Sequence, residues 1–360
     1  MLMTRQEVIF LIGAFTLAFI FSLLSTPLVK EWAIKFKAVD VPKDGRRMHK
    51  KPIPRLGGLA IIFGFIVAVF CFYGHMDRKI ISILVGAAVI SAMGVVDDIK
   101  ALDAKPKFII QILAALIVII GGDLKIDVLT NPNFFSPNPY WVLPEWLSVT
   151  ATLIWIVFIT NAVNFIDGLD GLAAGVSAIM SVSLVFIAVK VGEYPVAIIG
   201  TSLMGACFGF LPYNFNPAKI FMGDTGSTFL GFMLATLSIQ GVFKSYAIIS
   251  FAVPLLILGL PLFDASFAML RRISKGQSPM QADRGHLHHR LIDMGFSQKQ
   301  TVFILYAISG VLGITAVVLA ESNALRAILI LLCVLVFILI EAMILKSNQN
   351  PNEDDDSDYE

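Results

Sequence analysis

Charged residues are scarce in this 360-residue sequence: they make up 15% of the chain, whereas apolar residues make up 57%. A soluble domain usually carries roughly 25% charged residues, and a soluble chain this apolar would lack the polar surface needed to cover itself. The composition argues against a soluble enzyme, a disordered protein and a nucleic-acid-binding protein. Cysteine is scarce too, and Cys71, Cys207 and Cys333 each lie in an apolar run, which argues against a disulfide framework or a zinc site.

Long apolar runs are abundant, and they predict an all-α polytopic membrane protein. A helix that crosses the bilayer needs about 20 apolar residues. The eleven predicted spans are 8–29, 56–73, 80–96, 108–122, 147–165, 172–190, 195–211, 228–240, 247–268, 301–319 and 324–345. The first run is too long for a signal-peptide core and no small-residue cleavage site follows it, so we expect it to be retained.

The lysines and arginines predict the orientation of these spans. With the N-terminus outside, the inner segments hold 20 of the 27 Lys and Arg residues, a bias that the positive-inside rule assigns to the cytoplasmic side. Residues 1–345 are predicted to form one membrane domain, and 346–360 a disordered acidic tail in the cytoplasm. The outer segment 123–146, with three Asn and four Pro, is expected to be irregular.

Acidic and amide side chains concentrate on the predicted inner face, where their cost near the membrane marks a site. Asp97 and Asp98 end the third span. The negative end of the helix dipole lies there and normally favours cations. The two aspartates repel this dipole end and also each other, so a bound cation would relieve both repulsions. The alternative is an ordinary charged helix end that enters water.

Two further inner segments carry polar side chains. Asn161, Asn164, Asp167 and Asp170 recur at every third position, so neighbouring pairs share a helix face. The alternative is a polar seam between helices, but adjacent glycines favour a broken helix end that suits a phosphate or metal. Met222–Ser227 is a glycine-rich turn containing Asp224, and it lacks the spacing of a Walker A loop.

Basic residues and histidines supply the complementary charge. His286, His288, His289 and Arg290 lie in one inner loop. Adjacent histidines cannot both reach a zinc ion from one helix face, so phosphate binding is the better interpretation. An ordinary basic loop is the alternative, and the run 43–55 could likewise contact anionic lipid.

These motifs, in this order, resemble those of the polyprenyl-phosphate N-acetylhexosamine-1-phosphate transferases over residues 1–345. The motifs that carry the resemblance are Pro52–Gly58 with its Gly-Gly pair, Asp97-Asp98, Asn161–Leu172, Met222–Ser227 and His286–Arg290. The His-Leu-His-His-Arg form and Arg55-Leu56-Gly57-Gly58 are similar to the branch that uses UDP-N-acetylglucosamine (UDP-GlcNAc) and undecaprenyl phosphate. The loop 271–300 is most similar to that of the enzymes that begin wall teichoic acid synthesis.

The resemblance implies an eleven-helix fold in the bacterial plasma membrane, a cytoplasmic active site, a magnesium requirement with Mn²⁺ as an alternative, and often a homodimer. It assigns catalysis and metal binding to Asp97, Asp98 and Asp224. It assigns substrate binding to Lys50 (with Lys51 as the alternative), Arg55, Asn161, Asn164, Asp167, Asp170, His286, His288, His289 and Arg290.

The implied reaction transfers GlcNAc-1-phosphate from UDP-GlcNAc to undecaprenyl phosphate, releases UMP and starts a lipid-linked cell-wall polymer. A phosphate monoester is mostly dianionic at pH 7, so we expect direct attack with Asp98 orienting rather than acting as base or nucleophile. Alternatives are another donor, such as UDP-muramoyl-pentapeptide or another N-acetylhexosamine, and a membrane transporter. A transporter would place its acids near the midplane and show an internal repeat, and neither pattern is found.

Overall fold

The computed structural model of the chain describes residues 3–42, 51–131, 138, 140–243, 251–277 and 285–321, together with positions 329, 332, 333, 336 and 340. The α-helices in this part are α1 Arg5–Lys35, α2 Gly58–Phe72, α3 Arg78–Ile99, α4 Ala104–Leu116, α5 Glu145–Phe165, α6 Leu172–Val191, α7 Tyr194–Asn214, α8 Gly223–Ser238, α9 Ala252–Ile257, α10 Gly259–Ser274, α11 Leu287–Asp293 and α12 Gln298–Glu321. The π-helical turns Ile117–Gly121 and Ile239–Phe243 extend α4 and α8.

Seven of the described helices are long and apolar enough to cross a membrane, and α2 is a shorter apolar helix. These apolar sequences form helices because a helix satisfies its own backbone hydrogen bonds where no water is present. The prediction of an all-α polytopic membrane protein is therefore confirmed. The count of eleven spans and the orientation stay predictions, and the span at 324–345 lies mostly outside the described residues.

The predicted span 247–268 is wrong in one respect, because its described part from residue 251 onward holds two helices, α9 and α10, that meet at Leu258. Pro261 explains the break: it has no N–H to donate to the carbonyl of Ile257, and its ring clashes with that carbonyl. The predicted span 228–240 also begins too late, since α8 starts at Gly223. The glycine-rich motif is therefore the first turn of α8 rather than a loop before it.

The segment 123–146, predicted to lie outside, is not wholly irregular as predicted. Its strands β3, Val128–Thr130, and β4, Tyr140–Val142, pair antiparallel with Leu129 opposite Trp141. Both strands are rich in β-branched and aromatic residues, which favour extended structure on either side of a segment rich in Asn and Pro. At the other end of the bundle, β1, Val39–Asp40, pairs with β2, Ile53–Pro54, and so returns the chain to the end of α1.

Helix α8 lies at the centre of the described bundle, and every residue from Thr225 to Ser238 is buried. Glycines allow its neighbours to approach: a Cβ atom on Gly94 of α3 would collide with Thr225, and one on Gly58 of α2 would collide with Gly226. Small residues at helix contacts allow such close packing inside membranes. The start of α8 is thereby fixed against the end of α3 and the start of α2.

Candidate active site

The acidic residues predicted from the motifs meet at one end of the bundle. The C-terminal end of α3 supplies Asp97 and Asp98, the C-terminal end of α5 supplies Asn164, and the first turn of α8 supplies Asp224. The first turn of α4 and the residue after β2 add two cations, Lys107 and Arg55.

Asp98 has both of its carboxylate oxygens fully engaged. Its Oδ1 accepts hydrogen bonds from Arg55 Nε at 3.1 Å and from the backbone N–H of Asp224 at 3.0 Å. Its Oδ2 accepts from the backbone N–H of Thr225 at 3.0 Å and from the Thr225 hydroxyl at 2.6 Å. A carboxylate has about four acceptor positions, and the Asp98 side chain is 0% exposed. Asp98 therefore ties α3 to the start of α8.

Lys107 lies between the other two carboxylates of this cluster. Its Nζ is 2.9 Å from Asp97 Oδ2 and 2.9 Å from Asp224 Oδ2, while the backbone N–H of Leu102 caps Asp97 Oδ1 at 2.7 Å. Lys107 was not among the site residues predicted from the sequence. The available signal was a lysine at the start of an apolar run, but nothing in the sequence placed that lysine beside the aspartates.

Glycine at position 223 is required by the backbone and by its surroundings. Its φ of +70° lies in the left-handed region, which favours glycine. A Cβ atom there would collide with the Arg55 carbonyl and the Asp98 carboxylate. The backbone N–H groups of Gly57 and Gly58 donate to the carbonyls of Phe221 and Met222 at 2.9 and 2.8 Å. The two glycine motifs therefore interlock beside the carboxylates.

A cavity of about 1030 Å³ opens beside this cluster. Asp98, Asn164, Asp167, Asp170, Asp224, Arg55 and His289 line it, as does Lys51. The residues that line it without having been predicted as site residues include Lys30, Asp40, Asn214, Asn216, Lys219, Phe221 and Gln298. Lys50, the other predicted contact in this region, lies outside the described residues. The structure thus brings most of the predicted polar residues to one cavity.

Asp167 lines the cavity, and no hydrogen bond to its carboxylate is found within the described part of the chain. Burial is the largest cause that raises the pKa of Asp167, and together with the negative charges of Asp224, Asp98 and Asp170 it raises this pKa to about 8. At neutral pH the Asp167 carboxyl is therefore largely protonated and can donate a hydrogen bond into the cavity.

Asp170 is held by the chain segment that follows α7. Its Oδ2 accepts from Asn216 Nδ2 at 2.9 Å and from the backbone N–H of Ala218 at 3.0 Å. Asn216 also donates to Gln298 of α12 at 2.7 Å. Asp170 therefore forms one wall of the cavity together with residues that the motifs did not indicate.

Asn161, predicted as a substrate-binding residue, lies inside the bundle and not at the cavity. Its Nδ2 donates to Gln111 of α4 at 2.6 Å and to the carbonyl of Val157 at 2.7 Å, and Gln111 Nε2 donates back at 3.3 Å. This geometry matches the polar seam between helices that was its alternative interpretation. Asn164, one turn further along α5, faces the cavity instead.

The predicted histidines occupy three different environments. His286 is buried with its Nδ1 2.8 Å from Asp264 Oδ2. His288 is also buried, and burial together with the neighbouring His289 lowers the pKa of His288 to about 3, so it is neutral at physiological pH. Of the three rings, that of His289 lines the cavity. Arg290 follows it in α11 and is partly buried.

The donor set fits a small hard cation at Asp224. Mg²⁺ takes oxygen ligands and binds through one or two carboxylates plus substrate phosphates. Asp224 lines the cavity and keeps free acceptor positions, and the amide nitrogen of Asn164 donates to its Oδ1 at 3.3 Å. Among the described residues, Lys107 and Arg55 are the cations that pair with the three clustered carboxylates, and a further cation would balance the remaining negative charge.

The described residues hold no group of three or more His, Cys, Asp or Glu side chains arranged for a metal. The three predicted metal ligands, Asp97, Asp98 and Asp224, are therefore not equally available to a metal ion. Asp98 has its acceptor positions filled, and Asp97 does not line the cavity. Metal binding by this set stays a prediction, with Asp224 as the member that the cavity reaches.

Fold and site together define an integral membrane protein that holds a cavity of acids, amides and cations at one end of a helical bundle. Residues 80–242 match the protein-family description "Glycosyl transferase family 4". The chain belongs to this family, because a relative of 39% identity covers nearly its whole length. The resemblance stated from the motifs is thereby confirmed.

That relative is the "Probable undecaprenyl-phosphate N-acetylglucosaminyl 1-phosphate transferase" of Bacillus subtilis, aligned over 94% of this chain and 93% of its own. The "Decaprenyl-phosphate N-acetylglucosaminephosphotransferase" of Mycobacterium leprae is 36% identical over 83% of this chain and 81% of its own. The "Undecaprenyl-phosphate alpha-N-acetylglucosaminyl 1-phosphate transferase" of Salmonella typhi is 28% identical, over 88% of this chain and 84% of its own.

Proposed function

We propose that this protein transfers GlcNAc-1-phosphate from UDP-GlcNAc to undecaprenyl phosphate and releases UMP. The observation that carries the proposal is the pairing of the named relatives with a cavity whose acids and cations suit phosphate chemistry at the end of a membrane bundle. We propose further that the active site faces the cytoplasm of a bacterium and that the product starts a lipid-linked surface polymer such as teichoic acid.

The location of the cavity suits two substrates of opposite solubility. Undecaprenyl phosphate keeps its isoprenoid chain in the bilayer, whereas UDP-GlcNAc is soluble. The distribution of Lys and Arg supports a cytoplasmic position for the bundle end that carries the cavity. A site there allows the lipid phosphate and the nucleotide sugar to meet without either leaving its own phase.

In the reaction, a lipid phosphate oxygen attacks the β-phosphorus of UDP-GlcNAc. The new bond joins that oxygen to the β-phosphorus, and the bond to the oxygen bridging the α- and β-phosphates breaks with its electron pair leaving on UMP. Phosphoryl transfer is catalysed mainly by positioning and by stabilising charge. Arg55, which lines the cavity, supplies fixed positive charge for this purpose, and Lys107 balances the charge of Asp97 and Asp224 beside it. A magnesium ion bound at Asp224 would neutralise phosphate oxygens.

Asp98 is suited to orient the site and not to act as nucleophile. Its four hydrogen bonds, including those to Arg55 and Thr225, occupy the lone pairs that a nucleophilic attack would need. This arrangement supports direct attack by the lipid phosphate. A phosphosugar adduct trapped on Asp98 would contradict it.

Asp167 supplies a different function from the clustered acids. Its carboxyl is largely protonated at neutral pH. Asp167 can therefore donate a hydrogen bond to the negatively charged UDP-GlcNAc in the cavity without repelling it. His289, which lines the same cavity, can hold phosphate or sugar oxygens.

The test uses the purified full-length protein with Mg²⁺, undecaprenyl phosphate and UDP-[¹⁴C]GlcNAc, and measures the radiolabel extracted with lipid. Parallel reactions use UDP-muramoyl-pentapeptide and UDP-N-acetylgalactosamine as donors. We expect lipid-linked GlcNAc as the main product, and its loss in D224N but not in D123N, which removes an exposed acid at Lys125. Turnover of another donor, with none from UDP-GlcNAc, would overturn the proposed substrate.

A further inference from the structure

We propose that Asp264 is a positioning residue that sets where α11 presents His289 to the cavity. The reaction it serves is the one proposed above, so the kinetic part of this inference rests on that function. Asp264 belongs to α10, which packs against α5 and α12. It does not line the cavity, so its effect must pass through other residues.

The Asp264 carboxylate holds two consecutive residues at the start of α11. Its Oδ2 lies 2.8 Å from His286 Nδ1, and its Oδ1 accepts the backbone N–H of Leu287 at 2.7 Å. The side chains of Asp264 and His286 are 5% and 9% exposed. Hydrogen bonds to a charged acceptor are roughly twice as strong as neutral ones. The first turn of α11 is therefore fixed at two atoms to α10.

A second contact one residue earlier supports this arrangement. Arg271, also in α10, donates from its guanidinium to the carbonyl of Gly285 at 2.9 Å. A Cβ atom on Gly285 would collide with that guanidinium. Two side chains of α10 thus hold residues 285–287, and neither of them is part of the catalytic cluster.

The rings that follow transmit this position to the cavity. The centroid of the His286 ring lies 5.9 Å from that of Phe165, the residue that follows Asn164 in the sequence. The His286 ring also stacks on the His288 ring, with 5.8 Å between centroids. His288 in turn packs against Gly168 and contacts His289, with 4.3 Å between ring centroids. A shift at His286 would therefore move both α11 and the loop that carries Asp167.

Hydrogen–deuterium exchange of the full-length protein tests the structural half of this inference without any substrate. In D264N we expect peptides covering residues 285–293 to exchange about tenfold faster or more, the effect of losing a hydrogen bond to a charged group. Peptides from α6 should stay unchanged. The matched control is D293N, which removes an exposed acid from the same short helix.

Two substitutions of His286 distinguish the roles of its two ring nitrogens, Nδ1 and Nε2. The amide nitrogen of Asn can take the place of imidazole Nδ1, and that of Gln can take the place of Nε2. H286N should keep the bond to Asp264 and the protection of residues 285–293, whereas H286Q should lose both. Comparing H286N with H286Q shows whether the bond between Asp264 and His286 positions α11, even where D264N fails to accumulate as folded protein.

The kinetic half of the inference is tested by measuring the KM for each substrate separately. D264N and H286Q should raise the KM for UDP-GlcNAc about tenfold or more, because α11 carries the donor-facing ring, and should leave the KM for undecaprenyl phosphate within about twofold. Wild-type exchange in D264N or H286Q would overturn the inference, as would faster exchange with an unchanged donor KM. Absence of GlcNAc transfer by the wild-type protein would instead refute the proposed function, while the exchange comparison still decides the role of Asp264.

Discussion

Replacing Lys107 by methionine removes an ammonium group from between two carboxylates while keeping the length of the side chain. The Nζ atom lies 2.9 Å from both Asp97 Oδ2 and Asp224 Oδ2, and the side chain is 25% exposed. Without it, two acids that lie close together face each other with no fixed cation between them. We expect the loss to appear both in substrate binding and in the reaction rate.

The magnitude follows from these two contacts. A hydrogen bond to a charged group contributes about 1.5–3 kcal/mol, so two such bonds at the lower limit contribute about 3 kcal/mol. Partial exposure favours the lower limit, because water replaces part of the interaction. At about 1.4 kcal/mol for each factor of ten, kcat/KM for K107M should fall by somewhat more than a hundredfold.

The assay is the radiolabelled transfer reaction, with K105M as the matched control. Lys105 lies two residues earlier in α4 and is exposed, so K105M should stay within about twofold of wild type. Folding is checked by the thermal unfolding temperature in detergent. Wild-type activity in K107M would refute the role assigned to the Lys107 bridge, and an equal loss in K105M would assign the effect to general charge near the membrane.

Three further predictions concern folding. G58A should destabilise the protein by about 1–3 kcal/mol, because its Cβ atom would collide with Gly226. The control G310A has no atom within 4 Å of the added Cβ and should unfold at or above the wild-type temperature. Equal unfolding temperatures for G58A and the wild type would contradict the close approach of α2 to α8. The pKa of Asp167 is raised to about 8 in the folded state, so stability should fall as pH rises from about 4 to 8, and D167N should flatten that part of the curve of unfolding temperature against pH. The pKa of His288 is lowered from 6.5 to about 3, so stability should fall as pH drops below 6.5, and an unchanged acid limb in H288N would exclude His288 as its cause.

The position of the acidic cluster could be predicted from local sequence. Two aspartates at the C-terminal end of a helix repel each other and the helix dipole, and this conflict indicated that a cation lies nearby. The structure supplies protein cations at that place, Arg55 and Lys107. Lys107 itself was not predictable, because its closeness to Asp97 depends on the turn between α3 and α4 and not on any pattern in the sequence.

Other differences arise from tertiary contacts of the same kind. Asn161 and Asn164 are alike in the sequence, yet Gln111 of α4 takes up Asn161 and leaves Asn164 at the cavity. The pairing of Asp264 with His286 joins residues 22 positions apart and has no local signature. The break at Leu258, by contrast, had a readable local cause, Pro261, within a run whose hydrophobicity indicated one span.

The proposed reaction moves a phosphosugar, and not the sugar alone, to the lipid. The most direct measurement uses UDP-GlcNAc labelled with ³²P at the β-phosphate, together with undecaprenyl phosphate, Mg²⁺ and the purified full-length protein. In the proposed reaction the label enters the lipid fraction and unlabelled UMP is released. Label retained in released UDP, with GlcNAc on the lipid, would show glycosyl transfer and contradict it.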